Sequence, residues 1–107
     1  MANTFKRMTG NAVGSSLTTV YTVPASTTTV MIGGVLSNTD VANSNINVVT
    51  NDGTSDINLT GLDTVVPAGS ALSFIDGKIV LQAGDTIKVS SSVSGAIDVH
   101  LSIMEIT

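Results

Sequence analysis

Apolar and polar residues alternate along much of this chain with the period of a β-strand. Residues 70–106 hold four such patterns, separated by turn residues at Asp76-Gly77, at Ala83-Gly84 and around Gly95. In the last pattern Ile97, Val99, Leu101 and Ile103 point one way, and Asp98, His100 and Ser102 the other. Asp-Gly tolerates the positive φ angles of a two-residue type I′ turn, so Asp76-Gly77 predicts a hairpin pairing Leu72 with Leu81, Phe74 with Ile79 and Ile75 with Lys78. That register predicts a core of Leu72, Phe74, Ile79, Leu81, Ile87, Val89, Ile97, Val99, Leu101 and Ile103.

The earlier part of the chain reads the same way. Residues 17–23 form a strand stopped by Pro24, which has no donor for a central ladder. Residues 28–36 form a second, where Gly33-Gly34 suggests a bulge or a close backbone approach. Residues 45–50 and 55–60 flank a turn at Asn51-Asp52-Gly53, residues 37–44 are a loop by composition, and Val65-Val66 is a short connection. No window keeps a helical period over two turns. The prediction is an all-β chain, an antiparallel β-sandwich or jelly-roll with essentially no helix. Residues 1–10 show no clean alternation and predict an extended N-terminal arm, with a clamp on a neighbour and an edge strand or frayed start both open for it, and residues 11–107 as a single β-sandwich domain whose folding does not need the arm.

Composition narrows the classes. The 107 residues contain no cysteine, so neither disulfides nor thiolate sites are available. Four basic residues against eight acidic ones give a net charge of −4, and nucleic-acid binding lacks its basic footprint. Only 11% of residues are charged, where a small soluble monomer carries about 25%. With a mean hydropathy of +0.42, that surface predicts a homo-oligomer or attachment to a larger partner. No signal peptide or membrane-spanning run is visible, so the expected route is synthesis in a cytoplasm, with release only by lysis.

Candidate chemistry is sparse. Asp98, His100 and Ser102 have the letters of a catalytic triad, but neighbours on one strand face stand about 6.5–7 Å apart and project in parallel, whereas a triad converges to about 3 Å. Asn51, Asp52 and Asp56 faintly suggest a calcium loop, yet a calcium site takes about 6–8 oxygen ligands and a hairpin turn explains them. Asn58-Leu59-Thr60 matches a glycosylation sequon without a secretory route. A single histidine and three aromatics give little for a metal or a sugar platform. No enzyme activity, metal or cofactor is expected. The candidate contact residues are Phe5 and Met8 as apolar anchors, Lys6 and Arg7 as cations for acidic surface, and Met104 and Ile106, where the polar face of the last strand turns apolar.

The opening Met1-Ala2-Asn3-Thr4-Phe5-Lys6, the segment Thr19-Val20-Tyr21-Thr22-Val23-Pro24-Ala25, and the final Asp98-Val99 and Leu101-Ser102-Ile103-Met104-Glu105-Ile106-Thr107 together resemble small virion proteins of marine tailed bacteriophages. The signature Leu81-Gln82-Ala83-Gly84-Asp85-Thr86-Ile87-Lys88-Val89 with Ser90-Ser91 is similar to theirs as well, and the resemblance spans nearly the full length. It implies a structural part of the virion, assembled in a host bacterial cytoplasm, with head decoration (cement) as the favoured role. Its partners would be copies of itself, a trimer being the expected state, and the major capsid protein or another virion protein. Membrane and nucleic acid are not among them, and no catalytic residues carry over. The alternatives are a tail, neck or fibre-associated component and a carbohydrate-binding module.

Overall fold

The computed structural model describes residues 2–75 and 78–107. Among these there are ten strands and no helix: β1 (Asn3–Val13), β2 (Thr18–Thr22), β3 (Thr28–Asn38), β4 (Ser44–Asn51), β5 (Asp56–Asn58), β6 (Thr64–Val66), β7 (Ala71–Ser73), β8 (Ile79–Leu81), β9 (Thr86–Ser91) and β10 (Ile97–Ile106). They form two antiparallel sheets. The first runs β1-β10-β3 with β7 and β8 both on the far side of β3, and the second runs β2-β9-β4 with β5 and β6 both on the far side of β4. If each collinear pair counts as one broken strand, four strand positions face four, and the chain crosses between sheets at nearly every connection. That is the jelly-roll form of the predicted sandwich.

The inward rows make the core. Phe74, Leu81, Ile87, Val89, Ile97, Val99, Leu101 and Ile103 are buried as predicted, while Leu72 and Ile79 are only partly buried against them. Met31, Leu36, Ile46, Val48, Val66 and Tyr21 join them from strands whose alternation is less regular. Burial of each large aliphatic side chain contributes about 1.5–3 kcal/mol, so these rows dominate the stability.

Two expectations need correction. The Asp76-Gly77 turn lies outside the described residues, but its flanks do not pair with each other. Leu72 faces Leu36 and Leu81 faces Thr29, so β7 and β8 are successive pieces of one edge along β3. An isolated two-stranded hairpin is marginal, and the eleven-residue β3 offers both pieces a longer ladder than they can offer each other. The predicted arm is the second correction. Residues 3–10 pair continuously with β10, from Asn3 opposite Ile106 to Gly10 opposite Val99, so no boundary falls at residue 10. Lys6 conceals the alternation there, because it occupies an inward position beside Ile103.

The glycine pair of β3 lies beside the foreseen bulge, and the close approach at it is made by a side chain, not by another backbone. The ladder with β10 slips at Ile32, beside Gly33. Gly34 faces inward, where a Cβ would lie 2.5 Å from Phe74 Cζ. Phe74 packs against bare backbone, and its amide donates to the Gly34 carbonyl at 3.2 Å.

Phe74→Ala should therefore cost about 3–5 kcal/mol in urea unfolding. Gly34→Ala should cost about 1–3 kcal/mol by overpacking the same spot. Wild-type midpoints for both would remove this packing. Deleting residues 2–9 takes away an edge strand and is expected to lower the thermal midpoint markedly. A truncated protein that melts like the full chain would show β1 to be dispensable.

Candidate interaction surfaces

Strand alternation decides where the six candidate contact residues point. Phe5, Arg7, Met104 and Ile106 lie on the outward face of the first sheet, with Phe5 opposite Met104 and 72% exposed. Lys6 and Met8 face inward: Met8 packs against the core, and Lys6 Nζ makes an ion pair with Glu105 Oε1 at 2.8 Å. The cation expected to meet foreign acid is thus committed within the fold.

Glu105 itself was not singled out by its sequence context, although it continues the inward phase of Ile97, Val99, Leu101 and Ile103. It is 6% exposed. Tyr21 reaches it from the opposite sheet, its hydroxyl donating to Glu105 Oε2 at 2.6 Å. With its one proton so used, that hydroxyl accepts from Thr29 Oγ1 at 2.8 Å. The Lys6 and Tyr21 hydrogen bonds hold the Glu105 carboxyl below its ordinary pKa. Burial, reinforced by the hydrogen bond to Glu105, pushes the Tyr21 hydroxyl up to about 12. The cluster ties β1, β2, β3 and β10 at one end of the sandwich. The Glu105 carboxylate and the Tyr21 hydroxyl are satisfied within the fold, and the Lys6 side chain, 48% exposed, closes the clip from the solvent side.

The rest of the candidate chemistry resolves into turns and strand faces. Asp98, His100 and Ser102 take successive outward positions of β10, and Asp98 Oδ1 accepts from Asn11 Nδ2 at 3.0 Å. In the turn after β4, Asp52 Oδ1 accepts from the amides of Thr54 and Ser55, which lower its pKa, and Asn51 Oδ1 accepts from the Gly53 amide. Among the described residues no three metal-ligating side chains cluster. Tyr21 and Phe74 are buried, so neither offers a ring to a sugar. No described helix is long and apolar enough to cross a membrane.

Three surfaces remain. The outward face of the first sheet carries an apolar row across four strands, Phe5, Met104, Val30 and Val80 being successive cross-strand neighbours. At about 4.8 Å per strand the row spans roughly 14 Å. The second surface is the free edge of β1. Ala2 and Thr107 exchange both backbone hydrogen bonds, so alternation leaves the amides and carbonyls of Asn3, Phe5, Arg7 and Thr9 pointing away from β10. Beside this edge runs an open groove of about 570 Å³ lined by residues 5–9, with Val20 of β2 as the one contribution from the other sheet. The third is a groove of about 330 Å³ on the outward face of the second sheet, where Leu17, Val49 and Leu62 meet Asp56 and Asp63.

No family model matches the chain, and no curated protein matches it. Among solved structures it is similar to a protein described as "Bacillus endospore appendages form a novel family of disulfide-linked pili", with a TM-score of 0.60 and 14% identity. The alignment covers 99% of this chain and 87% of that one. At this identity the likeness is one of fold, and a chain without cysteine has no means of disulfide linkage.

The Glu105 cluster sets the pH dependence of stability. A carboxyl whose folded pKa lies below its unfolded value of about 4.3 contributes stability above that value and loses it as pH falls further. Tyr21 behaves oppositely: its contribution is complete below about pH 10 and is lost as pH rises toward about 12. Thermal melts across pH should decline at both ends. Glu105→Gln should flatten the acid limb and Tyr21→Phe the alkaline one; unchanged limbs in both variants would show the cluster to be energetically idle.

Proposed function

We propose that this chain is a structural protein of a bacteriophage particle, a capsid decoration (cement) protein that binds the assembled lattice from outside and stabilises it. The observation that carries the reading is the free edge of β1, eleven residues long and flanked by an open groove. An unpaired edge is a template for an added strand, and an extended segment of a capsid subunit would gain main-chain hydrogen bonds there. Support also comes from the sequence resemblance to small phage virion proteins and from the low surface charge. Arg7, outward on this edge, supplies the cation that an acidic lattice would attract.

A second reading, a subunit of a polymeric surface appendage, is favoured by the fold shared with the spore-appendage protein. A tail, neck or fibre-associated position uses the same surfaces in fewer copies.

The test is co-sedimentation with particles stripped of the protein. Wild type should bind to saturation and raise the temperature at which the particles open. Arg7→Pro removes an amide that points away from β10, so the fold should persist while strand addition fails and binding falls at least about tenfold. Wild-type binding by a folded Arg7→Pro protein would end the edge-strand account. Absence of binding by the wild type would end the decoration role.

A further inference from the structure

The apolar row and the acid-rimmed groove are complementary, and they lie on opposite sides of the sandwich. We infer that copies of this chain stack face to face, the Phe5 row of one copy docking on the Leu17–Leu62 groove of the next.

Phe5 stands 72% exposed at one end of the row and Val80 62% exposed at the other, with Ile32, two residues along β3 from Val30, at 41%. Arg7 lies two residues along the same strand face, about 6.5–7 Å away, and has no ion pair among the described residues. The groove offers the counterpart. Val49 forms its floor, Leu17 and Leu62 stand 44% and 78% exposed at its walls, and Asp56 and Asp63 sit at its rim. The loop carrying Leu62 is held in place, because Asp63 and Asn47 exchange two hydrogen bonds and Thr64 Oγ1 donates to the Gly61 carbonyl. An aromatic anchor with a neighbouring cation thus meets an apolar slot with two carboxylates. Of these, Asp56 already lies 3.7 Å from Lys88 Nζ and Asp63 is met by the neutral Asn47 amide, so Asp63 is the better counter-charge for Arg7. Buried aromatic anchors and charge pairs at their margin are the features that give an interface its affinity and register.

The occupant is a second copy because one chain carries both halves of the match, an aromatic beside a cation on its first sheet and an apolar slot beside carboxylates on its second, and cannot bring the two together by itself. Because donor and acceptor faces differ, the contact is heterologous. It closes into a ring if the step rotates and continues as a file if it does not. The inference shares Arg7 with the capsid reading but uses the sheet face beside it, whereas that reading uses the main-chain edge of β1.

Phe5→Asp disables the donor face and Leu62→Asp the acceptor face. Both residues are exposed, so thermal melts should match the wild type; Phe5→Ser and Leu62→Ser replace any variant that melts early. Sedimentation velocity of the wild type in the micromolar range should show association that grows with concentration and weakens with salt. Each variant alone should be monomeric. An equimolar mixture should form a two-chain complex and nothing larger, since only one intact donor–acceptor pair remains. A monomeric wild type, a monomeric mixture, or association that survives Leu62→Asp would each overturn the inference.

Discussion

One carboxylate on the inward row of β10 constrains the whole fold. Ile97, Val99, Leu101 and Ile103 are at most 3% exposed, and the row's next member is Glu105. A charge in that position stands only if partners meet it. Tyr21 arrives from the opposite sheet, Lys6 from β1, and Thr29 sits behind the tyrosine hydroxyl. The apolar row holds the two sheets face to face, and its polar end fixes how they align and draws residues 3–10 into the first sheet as a strand. A single strand, paired on both sides by β1 and β3, thereby sets core and register together.

Much of this was legible in the alternation of branched aliphatics. Eight of the ten residues placed in the core by period alone are buried, because an inward phase of Ile, Val and Leu has one place to go. The misreadings share a cause. Asp76-Gly77 is a strong local turn signal, but pairing partners are decided by the longest ladder on offer, and β3 outcompeted the hairpin. In β1 the inward position of Lys6 broke the apolar pattern, so a strand looked like an arm. Both the inward lysine and the inward glutamate are exceptions to the period, and they are exceptions to each other's benefit. The contact residues divided for the same reason: odd positions of β1 face out with Met104 and Ile106, and even positions face in.

What the fold leaves outside suits contact with other proteins. An inward-pointing lysine on an edge strand is one way to discourage chance pairing, since an added strand would have to bury its charge. Here Glu105 neutralises that charge, and the edge keeps four amides and four carbonyls free. The apolar row and the groove likewise sit on regular, hydrogen-bonded sheet, so docking on them requires little reordering. At the remaining turns Asn38, Asp40, Asn51, Asp52 and Asp85 are occupied by local hydrogen bonds. The chemistry presented to solvent is that of β-edge, apolar patch and scattered charge.

The central claim, that this is a multi-copy structural part of a particle, is tested most directly by counting. Quantitative mass spectrometry of purified particles gives the ratio of this chain to the major capsid protein. A decoration protein should appear in a fixed, near-stoichiometric ratio to the lattice. A handful of copies per particle would place it on the tail axis, and its absence from particles would contradict the account.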